Sequence, residues 1–328
     1  MTVINNIEIE KVDYKRNEMK EAIRNNEPIE DKLHVIMVIS NPCTYGTRYK
    51  LANEFKKRME DEEHVILYIV EMTYGKQKFY VTESDNTRHL QLNTDVPLWH
   101  KENMINIGVK KLLPHGWKAF AWIDADLEFE NNSWALDTLK ILNGCRDIVQ
   151  IFSHCVDMNK EELSMSVFNS FGYQYTKKYK YCGTGINFWH PGYAWACTRK
   201  AYEKIGGLFQ YSILGSGDHN MTFSLLNNGL KSINPDVTDN YKKCILDFQE
   251  KMRNLRIGYI PGVIRHYFHG TKQNRKYSER WKIIVKHQYD PITHIKQDKD
   301  GILIPTKEFP EQLKSDILNY FVERNEDE

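Results

Sequence analysis

The sequence predicts an α/β protein with a mostly parallel central sheet flanked by helices. Before residue 155, short apolar runs typical of buried strands alternate with segments whose apolar residues recur every three or four positions, as on one face of a helix. Strands that alternate with amphipathic helices form parallel sheets covered on both faces. The chain has 328 residues, of which 41% are hydrophobic, so it can bury a substantial core within one large domain.

The predicted elements of the first half follow this alternation in order. Four apolar runs are candidate buried strands, at residues 33–40, 65–70, 118–124 and 147–153. Helices are expected between them, from about Thr47, over 99–113 and from Ser133, a residue type that can cap a helix. Two short strands are candidates in the irregular stretch that follows the second strand, at 79–81 and 90–92.

The second half of the chain has a different character. Residues 165–197 are dense in aromatic side chains and glycine, and a strand and turn are expected within 256–272. Helices are predicted at 198–206, 217–228, 237–255, 275–287 and 309–323. We therefore expect a helical or flexible N-terminal extension over residues 1–31, a main domain over 32–290 and a helical C-terminal tail over 291–328.

The composition excludes several classes of protein. The 45 basic and 44 acidic side chains nearly cancel, which argues against a general nucleic-acid-binding protein. The six cysteines are dispersed without a Cys-x-x-Cys pair, so neither a disulfide scaffold nor a structural zinc site is predicted. The N-terminus lacks a signal-peptide pattern, and no apolar run approaches the roughly 20 residues of a membrane span. We expect a cytoplasmic protein, and the sequence leaves its oligomeric state open.

Two acidic residues follow the third candidate strand directly. Asp124 and Asp126 are separated by one alanine and come after an apolar run. Ligands bind at the carboxyl ends of strands in open α/β sheets, and two neighbouring carboxylates suit a divalent cation that carries a phosphate ligand. The alternative is a turn with two solvated acids. Asp298 and Asp300 have the same spacing, but they lie in a polar stretch that predicts such a turn.

Two histidines and a further aspartate are the next candidates. His266 and His269 follow a strand-like run and a Pro-Gly turn, and imidazole can join a carboxylate in binding ions such as Mn²⁺. A hydrogen-bonded packing role is the alternative for either ring. Asp218 lies near the start of a helix, after a glycine-rich loop. It can cap that helix or act as general base for a sugar hydroxyl, and the two roles compete for the same oxygens.

Polar helix residues and aromatic rings complete the set of candidates. Asn103 and Asn106 share one side of the helix predicted at 99–113. Asparagine is a mediocre helix former, so the pair indicates a polar role, whereas Lys101 and Glu102 can form a solvated face. Aromatic faces stack on sugar rings, and a Pro-Gly turn is expected to present the first two of three rings outward as an acceptor platform. These rings are Trp189, Tyr193 and Trp195, with core packing as the alternative.

In their order along the chain, these motifs resemble those of GT-A glycosyltransferases, in particular the family-2-like and β-1,4-galactosyltransferase-like branch. Asp124-Ala-Asp126 is similar to the Asp-x-Asp motif of that family, and segment 100–109 is similar to the helix that precedes it. Segment 192–207 resembles the strand and helix near the acceptor. Inverting members carry an acidic pair where this chain has Asp218-His219, so one carboxylate remains for the base.

The resemblance implies a GT-A fold over about residues 33–290 and a metal-dependent hexosyltransferase. The donor is expected to be a nucleotide sugar, UDP-linked rather than GDP-linked, and the acceptor a hydroxyl of a glycan, glycolipid or glycoprotein. Asp218 is the implied base of an inverting transfer, with retaining transfer left open. The implied ligands of Mn²⁺ or Mg²⁺ are Asp126, His269 or His266, and Asp124, which can instead contact the ribose.

The candidate contacts to the nucleotide sugar are Asn41, Arg48, Lys101, Asn103, Asn106 and Asp124. Two other functions remain open. A metal-dependent nucleotidyl- or phosphotransferase also needs carboxylates at a strand end. A carbohydrate-binding protein without catalytic activity is the second, because only one carboxylate stands at the position of the base.

Overall fold

The computed structural model describes residues 18–179, 189–277 and 279–328, together with the backbone of two short strands near the N-terminus. The strands are β1 (Val3–Ile4), β2 (Ile7–Glu8), β3 (Leu33–Ser40), β4 (Val65–Tyr74), β5 (His89–Thr94), β6 (Ala119–Ile123), β7 (Leu127–Phe129), β8 (Ile148–Gln150), β9 (His154–Met158), β10 (Ser164–Ser170), β11 (Trp189–His190), β12 (Ala194–Thr198), β13 (Ile257–Tyr259), β14 (Val263–His266), β15 (Ile295–Gln297) and β16 (Leu303–Pro305). The helices are α1 (Glu18–Arg24), α2 (Gly46–Glu60), α3 (Lys101–Leu112), α4 (Trp134–Leu142), α5 (Phe171–Thr176), α6 (Arg199–Ile205), α7 (Gly217–Leu225), α8 (Asp239–Met252), α9 (Glu279–Lys286) and α10 (Glu311–Glu323). Residues 1–2, 5–6 and 9–17 of the predicted N-terminal extension and, within the aromatic stretch, Tyr181 and Phe188 lie outside the described residues.

The central sheet has seven strands in the order β13-β8-β12-β6-β3-β4-β5. β12 is antiparallel to both of its neighbours, and the other neighbouring strands are parallel. A second sheet has the order β11-β10-β9-β14-β7. The predicted α/β fold with a mostly parallel sheet flanked by helices is confirmed. Within the described residues, no helix has both the length and the apolar character needed to cross a membrane.

The strand β3 shows why the central sheet is buried on both faces. Val35 and Met37 belong to one hydrophobic cluster, together with Phe55 of α2. Ile36, which lies between them in the strand, belongs to the other cluster, together with Ile105 of α3. Successive side chains of a strand point to opposite faces, so an unbroken apolar run is what a strand between two layers of helices requires.

One predicted strand is wrong. Residues 79–81 form no strand, because the backbone N–H groups of Tyr80 and Val81 donate hydrogen bonds of 2.8 and 3.1 Å to the buried carboxylate of Glu71. The carboxylate of Glu71 therefore accepts backbone hydrogen bonds that the carbonyl groups of a neighbouring strand would otherwise accept. The other short candidate, 90–92, lies within β5.

The chain crosses from the central sheet to the second sheet at the acidic motif. β6 ends at Ile123, and β7 begins at Leu127, immediately after Asp126. His266, the last residue of β14, is in register with Leu127 of β7 on one side and with Asp157 of β9 on the other. The crossing therefore brings the acids of one sheet beside a histidine of the other.

The C-terminal residues return to this crossing. Asp298 and Asp300 lie in the turn between β15 and β16, where Oδ1 of Asp298 accepts hydrogen bonds from the backbone N–H groups of Asp300 and Ile302. The second acidic pair thus forms the predicted turn. After α10, Glu326 reaches the loop that follows β3 and is bound by Arg48, which is 278 residues away along the chain.

Candidate active site

A pocket of about 740 Å³ opens beyond the carboxyl ends of β3 and β6, where the two sheets meet. Such crevices are the usual ligand sites of open α/β sheets. Most of the residues that the sequence predicts for the site line this pocket, namely Asn41, Arg48, Lys101, Asp124, Asp126, Trp189, Tyr193, Asp218, His266 and His269. Asn103, Asn106 and Trp195 lie elsewhere, as described below.

Asp126 lies between two imidazole rings. Its Oδ2 atom is 2.8 Å from Nε2 of His269 and 3.7 Å from Nε2 of His266. One ligand atom from each of the three residues lies within 4.8 Å of the other two. A carboxylate with two imidazoles is a donor set that suits a divalent transition-metal ion. We call Asp126, His266 and His269 the histidine side of the pocket.

Two buried atoms of the histidine side have no hydrogen-bond partner among the described residues, Oδ1 of Asp126 and Nε2 of His266. Buried polar atoms are nearly always paired, so unpaired ones call for a water molecule or an ion. Nδ1 of His266 is 2.7 Å from Oδ1 of Asp157. A neutral His266 ring donates its proton there and keeps a lone pair on Nε2. The residues of the histidine side therefore fit a divalent cation.

The electrostatics of the histidine side favour a positive charge. Burial opposes the ionisation of Asp126, but His266 and His269 hold the pKa of this carboxyl well below its usual value. Burial is the largest single influence on His266 and works to lower its pKa, but the charge of Asp126 and the side-chain contacts with Asp126 and Asp157 together raise it. The field that draws a proton to His266 also attracts a metal cation, and the two compete for the ligand atom.

Asp124 faces a lysine instead of histidines. Nζ of Lys101 is 2.6 Å from Oδ1 of Asp124 and 3.2 Å from Oδ2 of Asp218. Burial raises the pKa of Asp124 to about 6, against the effect of Lys101. Burial also opposes the charge of Lys101, yet Asp124 and Asp218 raise the pKa of this amine above its usual value. Lys101 is thus a charged link between two acids.

Glu102 lies beside these residues and not on the solvated face that the sequence allows. It is 5% exposed, and burial, followed by the charge of Asp218, raises its pKa to about 8. Its side chain packs on Gly217 so tightly that a Cβ atom on that glycine would lie 2.8 Å from Cγ of Glu102 and closer still to the carboxyl group. We call Lys101, Asp124 and Asp218 the lysine side of the pocket, and Glu102 lies buried beside them.

Asp218 does not cap its helix. The N-cap residue of α7 is Ser216, and Asp218 lies in the first turn with its carboxylate on Lys101. The capping alternative is therefore wrong, and the oxygens of Asp218 remain directed to the pocket. Gly192 makes room for them, because a Cβ atom at this position would lie 2.8 Å from Oδ2 of Asp218.

Four arginines line the part of the pocket beside the C-terminal residue Glu326, namely Arg48, Arg275, Arg280 and Arg324. Nη2 of Arg48 and Nε of Arg324 lie 2.7 and 2.6 Å from Oε1 of Glu326. Arg275 and Arg280 form no ion pair with any residue that the structure describes, and the Nε atom of each is buried without a hydrogen-bond partner. Guanidinium groups without a carboxylate partner at a pocket suit a phosphate-bearing ligand.

The predicted nucleotide contacts of the two asparagines need correction, because both side chains are used within the fold. Nδ2 of Asn103 donates to the carbonyl of Gly301 at 3.0 Å, and Nδ2 of Asn106 donates to the carbonyl of Leu208 at 2.9 Å. The backbone N–H groups of Leu303 and Leu208 donate to the side-chain oxygens of Asn103 and Asn106 in return. The polar side of α3 therefore binds neighbouring loops.

The aromatic platform also needs correction. Trp195 is 0% exposed in the middle of β12, where its Nε1–H donates to the carbonyl of Pro191 at 2.8 Å and its ring stacks on Trp122. Trp189 and Tyr193 line the pocket but are almost fully buried. The turn before Tyr193 therefore does not present the rings outward, and their first role is packing.

Asp157 and Glu326 are not among the residues that the sequence predicts for the site. Asp157 is an acidic residue within the otherwise mostly apolar strand β9, and a buried acid of this kind needs a partner, which is a usable signal. Glu326 lies in an acidic tail, where nothing local separates it from Glu323 or Glu328. Only the tertiary structure brings it to Arg48.

No model of a known protein family matches the chain, and no curated protein matches it. Among solved structures, the chain is similar to the catalytic domain of Drosophila beta1,4-galactosyltransferase 7 in complex with xylobiose, with 11% identity and a TM-score of 0.38 over 84% of this chain and 92% of that one. It is similar to the mannosyltransferase PcManGT from Pyrobaculum calidifontis in complex with GDP-Man and Mn²⁺, with 12% identity and a TM-score of 0.42 over 82% of this chain and 67% of that one. It is also similar to S. aureus TarS 1-349, with 12% identity and a TM-score of 0.40 over 89% of this chain and 71% of that one. Two of these proteins are sugar transferases, one a galactosyltransferase and the other a mannosyltransferase.

Proposed function

We propose that the protein is a metal-dependent glycosyltransferase that moves a hexose from a nucleotide-sugar donor, UDP-linked rather than GDP-linked, to an acceptor hydroxyl with inversion. The observation that carries the proposal is that one pocket is lined by the histidine side, the lysine side and two arginines that have no acidic partner among the described residues. They supply the three groups that such a transfer needs, which are a cation site, a base and contacts to phosphate.

Asp126, His266 and His269 would hold the ion. The two imidazoles favour Mn²⁺ over Mg²⁺, because Mg²⁺ prefers oxygen ligands. When bound, the ion neutralises charge on the departing nucleoside diphosphate. Asp124 is already paired with Lys101 at 2.6 Å, so we assign it to the ribose or to the outer surroundings of the ion.

Arg275 and Arg280 would bind the diphosphate of the donor. Both line the pocket, and a ligand phosphate would supply the acidic partner that each lacks within the described chain. Arg48 and Asn41 line the end of the pocket near β3. Their positions support contacts to the nucleoside, with Asn41 also shaping the loop through its side-chain hydrogen bonds to the backbone of Tyr45.

Asp218 would take the proton of the acceptor hydroxyl. The acceptor oxygen then forms its bond to the sugar carbon while the bond from that carbon to the diphosphate breaks, with oxocarbenium character in between. Lys101 keeps Asp218 oriented toward the pocket. Trp189 and Tyr193 would shape the acceptor end, and we expect the acceptor to be a glycan, glycolipid or glycoprotein.

The test is a screen of UDP- and GDP-sugars for Mn²⁺-dependent transfer, combined with Mn²⁺ binding measured by electron paramagnetic resonance. We expect Asp126→Asn to reduce both Mn²⁺ affinity and turnover by on the order of 10²-fold, because it removes the charged oxygen between the two imidazoles. Asp300→Asn is the matched control. It changes the second acid of the same spacing in the turn between β15 and β16, and we expect wild-type behaviour.

Other outcomes would identify other functions. Mn²⁺-dependent release of pyrophosphate would indicate a nucleotidyltransferase. Binding of sugars without nucleotide turnover would indicate a carbohydrate-binding protein. Equal Mn²⁺ affinity in the wild type and in Asp126→Asn would remove the metal role of the histidine side.

A further inference from the structure

Asp157 is a buried acid whose position the proposed reaction does not yet explain. It lies on β9 and is 1% exposed. Its strand neighbour in the second sheet is His266 of β14, directly in register. A carboxylate buried to this degree is costly unless charged or hydrogen-bonding partners surround it.

The two oxygens of Asp157 have different partners. Oδ1 is 2.7 Å from Nδ1 of His266, and Oδ2 is 2.5 Å from Nζ of Lys272. The contact with His266 is buried. The contact with Lys272 lies nearer the surface, because the side chain of Lys272 is 52% exposed. On the far side of the ring, Nε2 of His266 faces Asp126 and has no hydrogen-bond partner within the part of the chain that the structure describes.

His269 has a similar but looser arrangement. Its Nε2 atom faces Asp126 at 2.8 Å, and its Nδ1 atom faces the carboxylate of Glu326 at 3.8 Å. A separation of 3.8 Å is too long for a hydrogen bond. The orientation of His266 is therefore held by a carboxylate more firmly than that of His269.

We propose that Asp157 is a positioning residue, which fixes the tautomer and the direction of the His266 ring so that Nε2 presents its lone pair to the metal ion. Histidine ligands of metals usually donate their other N–H group to a carboxylate or a carbonyl, and this contact both orients the ring and strengthens it as a ligand. The register of β9 and β14 builds the contact into the sheet. The inference rests on the proposed function, because the proposed function assigns a metal ion to the histidine side.

The competing explanation is that Asp157 only forms a stabilising ion pair with Lys272. Two variants separate the explanations. Asp157→Asn keeps the shape of the side chain and removes its charge, so both contacts weaken. Lys272→Met removes the ion pair and leaves the contact between Asp157 and His266 in place.

A matched control exists between α9 and α10. Oδ2 of Asp316 is 2.7 Å from Nε2 of His287 and 2.8 Å from Nζ of Lys286, so this carboxylate also binds one histidine and one lysine. It does not line the pocket. Asp316→Asn therefore weakens one contact to a histidine and one to a lysine, as Asp157→Asn does, but leaves the histidine side of the pocket unchanged.

The measurement is the dissociation constant of Mn²⁺, determined by electron paramagnetic resonance without nucleotide and normalised to the folded fraction seen by circular dichroism. We expect Asp157→Asn to weaken Mn²⁺ binding by about 10–100-fold. Lys272→Met and Asp316→Asn should leave the constant unchanged, although either can lower the melting temperature.

Two results would overturn the positioning role while the metal site stands. One is an Asp157→Asn protein that binds Mn²⁺ as tightly as the wild type. The other is a Lys272→Met protein that loses as much affinity as Asp157→Asn, because the ion pair would then be the relevant contact. A wild-type protein that binds no Mn²⁺ would instead overturn the metal role of the histidine side, and the positioning role with it.

Discussion

The histidine side and the lysine side of the pocket each contain one acid of the same short motif, yet the pKa values of the two acids shift in opposite directions. Asp126 and Asp124 are two residues apart and both line the pocket. The histidines hold the pKa of Asp126 well below its usual value, against the effect of burial. Burial raises the pKa of Asp124 to about 6, even though Lys101 is beside it.

The difference comes from the partners, which distant elements contribute. β14 and the loop after it bring two imidazoles to Asp126, whereas α3 and α7 bring Lys101 and Asp218 to Asp124. An imidazole can release a proton and bind a metal ion. A lysine between two acids already supplies the positive charge there. One side therefore suits a cation, and the other suits a base.

The largest effect that would test this division is expected from Asp218→Asn. The change removes the proton acceptor of the lysine side and keeps its size, so we expect kcat to fall by about 10²–10⁴-fold. Mn²⁺ affinity and the donor KM should remain as in the wild type, because the histidine side is untouched. Steady-state kinetics and Mn²⁺ titration measure the two effects separately.

Asp239→Asn is the control for this variant. Asp239 also lies in the first turn of a helix, and its side chain is fully exposed beside Lys242. We expect its activity to match the wild type. A loss of donor affinity with unchanged kcat in Asp218→Asn would show that Asp218 binds and does not act as the base.

A histidine outside the pocket sharpens the comparison through its pH dependence. His100 is buried, its Nε2–H donates to the carbonyl of Leu303 at 2.9 Å, and burial lowers its pKa to about 4. His100 therefore binds a proton near pH 6.5 in the unfolded chain but only near pH 4 in the folded chain. Stability is full above pH 6.5 and is lost as the pH falls toward 4, by at most roughly 3 kcal/mol.

Urea unfolding between pH 4 and pH 7 measures this contribution. His100→Gln keeps a side chain of similar reach that does not titrate, so its unfolding free energy should fall less steeply than that of the wild type. Other buried histidines contribute equally to both proteins. Parallel pH curves for the two would contradict the prediction.

The smallest effect is expected at Gly217, where the packing of Glu102 beside the lysine side depends on the absence of a side chain. Gly217→Ala would push against the buried carboxyl of Glu102. We expect a loss of about 1–3 kcal/mol in the free energy of unfolding, because one methyl group must be fitted into a filled space. Gly116→Ala is the control, since a Cβ at that position would have no described atom within 4 Å apart from those of its two neighbours in the chain. Equal stability of the two variants would show that Glu102 moves aside freely.

Local pattern predicts the frame of the protein because burial repeats along a strand or helix. The run at residues 33–40 becomes β3, and the spacing of Leu51 and Phe55 marks the buried side of α2. The same reasoning is wrong at residues 79–81, where the carboxylate of Glu71 binds the backbone. It also predicts the wrong partners for Asn103 and Asn106. Their spacing shows that they share one side of a helix, but it does not show that this side packs against loops of the fold instead of the ligand pocket.

The sequence by itself determined that two acids follow a buried strand at Asp124 and Asp126, and that the similar pair at Asp298 and Asp300 forms a turn. Both conclusions depend on neighbours within a few residues. Only the tertiary structure decided which acid faces histidines and which faces a lysine, and that Glu326 reaches the pocket. The physical reason is that charge states depend on distances in space, and the partners that set them lie far apart along the chain.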